Sequence, residues 1–92
     1  MNKVTLRGYI LFPGADITAV ERALPAHIEA TLSERGCIAF EVSPHSDDPR
    51  RYNVFEQFES REAFEFHQKR VANSEWARVT ASAERHYEVT EG

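Results

Sequence analysis

His67 is the residue of this sequence that is best placed to transfer a proton. It follows Ala63 by four positions and Phe64 by three, and it precedes Val71 by four, so it shares the apolar stripe of a predicted helix. An imidazole on that stripe faces the interior, where it can accept a proton near neutral pH. The alternative is a histidine that only fixes the helix on the sheet through a buried polar contact.

Glu56 is the second candidate for proton chemistry. Alternation along its predicted strand places it on one face with Tyr52, Val54 and Phe58. A carboxylate among aromatic rings must be paired, hydrogen-bonded or protonated, because an isolated buried charge is costly. The third strand and the following helix are adjacent in such a fold, so Glu56 and His67 could meet, which would give an oriented imidazole able to take a proton.

Three further side chains are candidates for binding a ligand. Arg7 and Tyr9 alternate along the first predicted strand, where a planar guanidinium can anchor an oxygen-rich ligand. Arg7 could equally pair with Glu41 or Glu56 and have no further role. Trp76 could form the wall of an aromatic-binding cavity, or belong to the ordinary core.

Other catalytic motifs are not found. The four histidines show no metal-ligand spacing, and the sequence has no glycine-rich phosphate loop and no nucleophile elbow; the histidines are His27, His45, His67 and His86. We therefore expect no metal and no nucleotide or flavin cofactor.

The elements that must position these residues follow the order β-α-β-β-α-α-β. Pro13-Gly14 predicts a turn, Asp16 an N-cap, Gly36 a helix stop, and Pro25 a kink or break near Leu24. This order predicts a single α+β domain over residues 1–92, a ferredoxin-like split βαβ fold with a four-stranded antiparallel sheet. The predicted strands cover residues 4–12, 37–42, 51–59 and 85–90, and the predicted helices cover 16–32, 60–70 and 74–83.

The pattern of apolar residues goes further than fold class. The first strand carries apolar side chains on both faces, whereas helices can cover only one face of such a sheet. The second face then needs a partner, and we predict a homodimer with sheet packed on sheet. The alternative is a curled sheet covered by its own loops.

In the second strand, alternation places Ile38, Phe40 and Val42 on one face, and in the first helix the apolar stripe runs from Ile17 to Leu32.

Composition limits the classes of partner. The chain has 92 residues and a formal net charge of −4, which argues against nucleic acid or an anionic membrane surface as the main partner. The lone Cys37 cannot form an internal disulfide, no apolar run is long enough to span a membrane, and residues 1–7 lack the apolar region of a signal peptide. We expect a cytoplasmic location.

Several short segments together resemble the antibiotic biosynthesis monooxygenase (ABM) domain family. The resemblance spans nearly the whole chain and implies a dimeric α+β barrel with a pocket between sheet and helices in each subunit. The matching segments are Glu34-Arg-Gly-Cys-Ile-Ala-Phe-Glu-Val42, Asp48-Pro49, Tyr52-Asn-Val-Phe-Glu-Gln-Phe-Glu-Ser60, Ala63-Phe64 and His67.

The sequence departs from two known branches of that family. Val54 and Phe58 stand where the anthrone-oxidising branch has its Asn and Trp. Arg7, His67 and Thr80 stand where the haem-degrading branch has its Asn, Trp and His. The chain is most similar to the quinol-monooxygenase-like members.

The resemblance implies a cofactor-independent monooxygenase that acts with molecular oxygen on a small electron-rich aromatic, such as a quinol, an anthrone or a related phenol. In this hypothesis His67 removes the proton, Glu56 orients His67, and Arg7 or Tyr9 stabilises the oxyanion. Two alternatives stay open, a non-catalytic dimeric domain that binds a small ligand and an isomerase that uses the same acid–base pair. The remaining predicted substrate contacts are Val54, Phe58 and Trp76.

Overall fold

The computed structural model describes residues 2–12 and 17–92. The predicted Pro13-Gly14 turn and Asp16 N-cap therefore lie outside the described residues. None of the helices in the described ranges is long and apolar enough to cross a membrane. The elements are the strands β1 (Val4–Leu11), β2 (Cys37–Pro44), β3 (Arg51–Phe58) and β4 (Glu84–Glu91), and the helices α1 (Ile17–Leu32), α2 (Arg61–Ala72) and α3 (Glu75–Val79).

The four strands form one sheet in the order β2-β3-β1-β4, and each neighbouring pair is antiparallel. β1 lies at the centre, where it pairs with β3 on one side and β4 on the other. The α+β ferredoxin-like architecture predicted from the element order is confirmed.

The sheet has two chemically different faces. The inner face packs against the helices and carries the buried side chains of the central strands, including Val4, Leu6 and Ile10 of β1. The outer face carries the alternate residues, among them Arg7 and Tyr9. Alternation predicted this division correctly for β3, whose buried residues are Tyr52, Val54, Glu56 and Phe58.

In β2 the predicted alternation is wrong at its first position. The pairing of β2 with β3 shifts between Cys37 and Ala39, which leaves Ile38 as the extra residue of a β-bulge. Ile38 is consequently 47% exposed, while Cys37 packs against the core in its place and Phe40 is buried as predicted.

The first helix also differs from its predicted stripe. Val20, His27 and Thr31 are its buried residues, and Leu32 is 55% exposed. α1 is continuous through Pro25, so the predicted break is not formed. The polar His27 and Thr31 can occupy inward positions because both find partners there. The His27 ring stacks on Trp76, and the Thr31 hydroxyl donates to the carbonyl of His27.

The second helix begins as predicted. The Oγ atom of Ser60 accepts a hydrogen bond from the backbone N–H of Ala63 at 3.2 Å, which caps α2. Ser74 caps α3 in the same way through Ala77 at 3.2 Å, but α3 ends at Val79, earlier than predicted. The Ser60 cap therefore fixes where α2 begins, and the Ser74 cap fixes where α3 begins.

Gly8 lies at the centre of β1 with φ near 154°. A Cβ atom at this position would come within 2.0 Å of the carbonyl oxygen of His86 on the neighbouring strand β4. The close approach of β4 to β1 therefore depends on the missing side chain.

Candidate active site

His67 points from α2 into the interior, as predicted, and is only 3% exposed. Its ring centroid lies 4.9 Å from that of Phe58 and 5.8 Å from that of Phe40. His67 follows Ala63 by four positions and Phe64 by three. Residues at these spacings share one helix face, so His67 points in the same direction as these two apolar residues. The imidazole is thus held in an aromatic and nearly dry environment.

The nitrogen Nδ1 of His67 contacts a carboxylate. Its distances to the two oxygens of Glu34 are 3.1 and 3.2 Å. Arg70 donates from Nε to the same carboxylate and from a terminal nitrogen to Oγ1 of Thr31 at 3.0 Å. Glu34 is therefore shared between an imidazole and a guanidinium from the same helix.

Sequence reasoning missed the role of Glu34. This residue lies in the turn between α1 and β2, where no periodicity predicts the direction of a side chain. One signal was present, since Arg70 follows His67 by three positions and a half-buried arginine requires an acceptor. That signal indicates a carboxylate but does not identify which one.

The second ring nitrogen of His67 faces Glu56. The distance from Nε2 to Oε1 of Glu56 is 3.7 Å, which is within ion-pair reach and too long for a hydrogen bond. Among the described residues this Oε1 has no hydrogen-bond partner. The structure places Glu56 beside His67, but the hydrogen bond that can orient the ring is made with Glu34.

Burial changes the proton affinities of both groups. Burial, and secondly the negative charge of Glu34, raises the pKa of Glu56 to about 7. Burial lowers the pKa of His67, while the neighbouring Glu34 opposes that decrease. Near neutral pH the site thus combines an uncharged imidazole with a carboxyl group that changes protonation easily.

His27 is a second buried imidazole that the sequence analysis did not assign to the site. Its ring stacks on Trp76 at 4.7 Å with a 6° angle between planes, and it lies 6.3 Å from the ring of His67. Burial, followed by the charges of His67 and Arg70, lowers the pKa of His27 to about 4. His27 is therefore uncharged at neutral pH and functions here as an aromatic wall.

The three apolar residues predicted to contact substrate lie on the same side of the sheet as His67. Phe58 touches the His67 ring directly, whereas Trp76 reaches it only through His27. Val54 is buried two positions before Glu56 on the same strand. These residues belong to the core of the domain as well as to the surroundings of His67.

Arg7 and Tyr9 do not join this cluster, and their predicted association with His67 is wrong. Leu6 lies opposite Glu56 in the register of β1 and β3, so Arg7 and Tyr9 project from the other face of the sheet. There the Arg7 guanidinium carbon lies 5.2 Å from the ring centroid of Phe55. On that face they cannot stabilise an oxyanion formed at His67.

Two cavities of the described structure are lined by neither His67 nor Glu56. The larger, of about 810 Å³, runs beside α1 and is mostly apolar, with Leu24, Ile28 and Tyr52 in its walls. The smaller, of about 660 Å³, lies between α1 and α2 and is bounded in part by Glu34 and Arg70. The smaller one thus touches the outer end of the carboxylate that bonds His67.

Among residues 2–12 and 17–92, no group of three or more His, Cys, Asp or Glu side chains is arranged to hold a metal ion.

Comparison with known proteins gives a consistent result. The family model for antibiotic biosynthesis monooxygenase matches residues 4–79. A search of curated proteins finds no match.

Solved structures with the same fold cover nearly the whole chain. A Nitrosomonas europaea protein assigned to the antibiotic biosynthesis monooxygenases superposes with a TM-score of 0.75 at 19% identity, covering 99% of this chain and 88% of its own. A crystal structure described as antibiotic biosynthesis monooxygenase gives 0.68 at 23% identity, with 100% and 96% covered. A Shewanella oneidensis protein gives 0.69 at 25% identity, with 99% and 88% covered. Since the family model covers most of the sequence, this chain belongs to the antibiotic biosynthesis monooxygenase family.

Proposed function

We propose that this protein is a cofactor-independent monooxygenase that acts on a small electron-rich aromatic, such as a quinol, an anthrone or a related phenol. The observation that carries the proposal is the buried imidazole of His67 between two carboxylates, with Glu34 at Nδ1 and Glu56 at Nε2. Membership of the family supports the reaction class.

The chemistry requires little from the protein beyond a base and a dry site. Nε2 of His67 takes a proton from the substrate, and the resulting anion gives one electron to molecular oxygen. Recombination of the two radicals forms a carbon–oxygen bond. For an anthrone-type CH₂ group, the peroxide takes back the proton and loses water, so that CH₂ and O₂ become C=O and H₂O. Glu56 lies where it can accept or return that proton.

Access of the substrate to Nε2 requires movement, because His67 is enclosed by rings. Phe40 contacts the rings of both His27 and His67 and lies on the edge strand β2, next to the α1 helix. We therefore propose that Phe40 moves aside when substrate binds. Closure afterwards would keep water away from the anion.

Oxygen uptake with a panel of quinols, anthrones and simple phenols tests the proposal. We expect His67→Ala to lower kcat by roughly 10²- to 10⁴-fold, the usual contribution of a positioned base. His45→Ala is the matched control, since it removes a half-buried histidine from the turn between β2 and β3. Uptake that is the same in His67→Ala and in the control would refute the role of His67.

A second function, binding of a small apolar ligand without turnover, is favoured by the larger cavity. Its walls are mostly apolar and include Leu24, Ile28 and Tyr52. In this case apolar aromatics would raise the melting temperature with no oxygen consumed and no product formed. Leu24→Arg would abolish that increase, whereas His67→Ala would retain it.

The family resemblance and the outer face together support assembly as a homodimer. Tyr9, Leu11 and Phe55 are half-buried on this face, and no helix of the described chain covers it. The Nε atom of Arg51 is buried there without an acceptor among the described residues. A second sheet packed on the first would bury the apolar centre and supply polar partners at its rim.

Sedimentation at micromolar concentration tests the assembly. We expect a dimer for the native chain and a monomer for Phe55→Glu, which introduces a charge at the centre of the outer face. The control Glu65→Gln changes an exposed residue of α2 and should remain dimeric. A native chain that sediments as a monomer would contradict the sheet-on-sheet arrangement.

A further inference from the structure

Glu34 occupies a position that the proposed function does not yet explain. Its side chain is almost fully buried, yet it comes from a turn and not from a regular element. Both of its oxygens lie within 3.2 Å of Nδ1 of His67. Such a buried carboxylate must be stabilised by its partners, because removing it from water is costly.

The turn that carries Glu34 is held by hydrogen bonds on both sides. Its backbone N–H donates to the carbonyl of Thr31 at 3.0 Å, and its carbonyl accepts from the N–H of Cys37 at 3.2 Å. The carboxylate is also fixed by Arg70, which donates to it and to the Thr31 hydroxyl oxygen. That hydroxyl in turn donates to the carbonyl of His27 at 2.8 Å. The backbone of Glu34 is therefore held by α1 and β2, and its carboxylate is held by α2.

The donors and acceptors at this point determine the tautomer of His67. A carboxylate paired with a guanidinium only accepts hydrogen bonds, so Nδ1 must carry the hydrogen that it donates. In an uncharged imidazole the other nitrogen, Nε2, is then bare. Nε2 is the nitrogen that faces Glu56 across 3.7 Å.

We propose that Glu34 is the positioning residue for His67, which it holds as the Nδ1–H tautomer so that Nε2 is the proton acceptor. This inference deepens the proposed function and rests on it for its catalytic meaning. Glu56 then faces the reacting nitrogen and does not orient the ring. The roles of the two carboxylates are therefore different, although both lie beside the same imidazole.

The variant Glu34→Gln separates positioning from mere packing. Arg70 requires an oxygen acceptor, so the new amide must turn its NH₂ group toward Nδ1 of His67. That NH₂ group is a donor at the position 3.1 Å from Nδ1, where it opposes an Nδ1–H, so we expect the ring to move its hydrogen to Nε2. Size and shape are preserved, whereas the tautomer is reversed.

Nitrogen-15 NMR of labelled histidine reads the tautomer directly. In the native chain we expect His67 to show a protonated Nδ1 and a bare Nε2, and in Glu34→Gln the opposite pattern. Oxygen uptake should show kcat lower by about 100-fold or more with KM changed less than about threefold, as expected for loss of a correctly oriented base. Glu34→Asp keeps the charge and should restore the native tautomer in part.

The control Glu59→Gln removes another carboxylate that borders the smaller cavity and should change neither the spectrum nor kcat. A native His67 protonated at Nε2 would overturn the inference without any variant. A Glu34→Gln protein with the native tautomer and native kcat would overturn it as well. Should the native chain consume no oxygen yet show the Nδ1–H ring, the proposed function fails and the positioning of His67 stands.

Discussion

The two faces of one sheet solve the problem of buried polarity in different ways. On the inner face, Glu56 is 7% exposed and lies among aromatic rings, with Nε2 of the His67 imidazole 3.7 Å from its carboxylate. On the outer face, the guanidinium of Arg51 lies 3.8 Å from the ring centroid of Tyr9, and that ring also stacks on His86 at 4.7 Å. The ionisable group of the inner face is thus buried by the core, whereas the arginine of the outer face packs on an aromatic ring.

In the proposed function, this difference separates the face that carries the chemistry from the face that carries the assembly. A carboxyl group whose pKa burial raises to about 7 can exchange protons, and the inner face provides that burial through its own helices. The outer face has arginine–aromatic contacts, which are frequent in interfaces and tolerate partial solvation. Adjacent residues of β3, Phe55 and Glu56, therefore serve different purposes.

The largest expected effect compares two phenylalanines of the same strand. Phe58→Ala should destabilise the protein by about 3–5 kcal/mol, because its ring is fully buried against Phe64 and His67. Phe55→Ala on the outer face should cost about 1 kcal/mol, since its ring is only half-buried beneath Arg7. Urea denaturation at low protein concentration measures both. Equal losses would remove the distinction between the faces.

The second prediction concerns pH. A folded pKa of about 7 for Glu56, against an ordinary value of 4.5, means that the folded state binds more protons between these two values. Stability therefore falls as pH rises through this window, by about 3 kcal/mol in total for this group. Glu56→Gln lacks this loss, so its stability relative to the native chain should increase by about 3 kcal/mol from pH 4.5 to pH 8.

Subtracting the two unfolding curves removes the contributions of His27 and His67, which are common to both proteins. Those histidines have lowered pKa values and stabilise the fold as pH rises, in the opposite direction to Glu56. Glu88→Gln, which removes an exposed carboxylate opposite Arg7 on the outer face, is the control. A difference curve for Glu56→Gln as flat as that of the control would show that burial does not raise the pKa of this carboxyl group.

The smallest expected effect tests the outer face. Arg51→Met should lower the free energy of unfolding by about 0.5–1 kcal/mol through loss of the contact with Tyr9. Thermal unfolding of Arg51→Met beside Arg22→Met, an exposed position of α1, measures it. In a sheet-on-sheet dimer the loss should grow with protein concentration. A loss that is independent of concentration would indicate that this face is open to solvent.

The parts of the structure that follow period or cap rules were predicted from the sequence. Alternation in β3 correctly placed Tyr52 and Glu56 inward, and the Ser60 cap with the helical stripe placed His67 inward. These are local rules, so a single sequence is enough to apply them. The helix order and turns were likewise enough to predict the ferredoxin-like sheet.

The missed features depend on contacts between distant segments. The bulge at Ile38 is a property of the pairing between β2 and β3, and the rotation of α1 depends on the aromatic surroundings of His27. Glu34 is brought to His67 by a turn, where no repeat exists. Arg7 was grouped with His67 because of its chemistry, although alternation alone already separates it from Leu6.

Gly8 has a practical consequence for anyone who alters this protein. Because a methyl group there would collide with the backbone of His86, even Gly8→Ala would force β4 away from β1 at this point of their pairing. Libraries that randomise the outer face should keep this position invariant and vary its neighbours instead. Conversely, Gly8→Ala offers a simple way to disturb the pairing of β4 with β1 and to measure how the stability of the domain depends on that pairing.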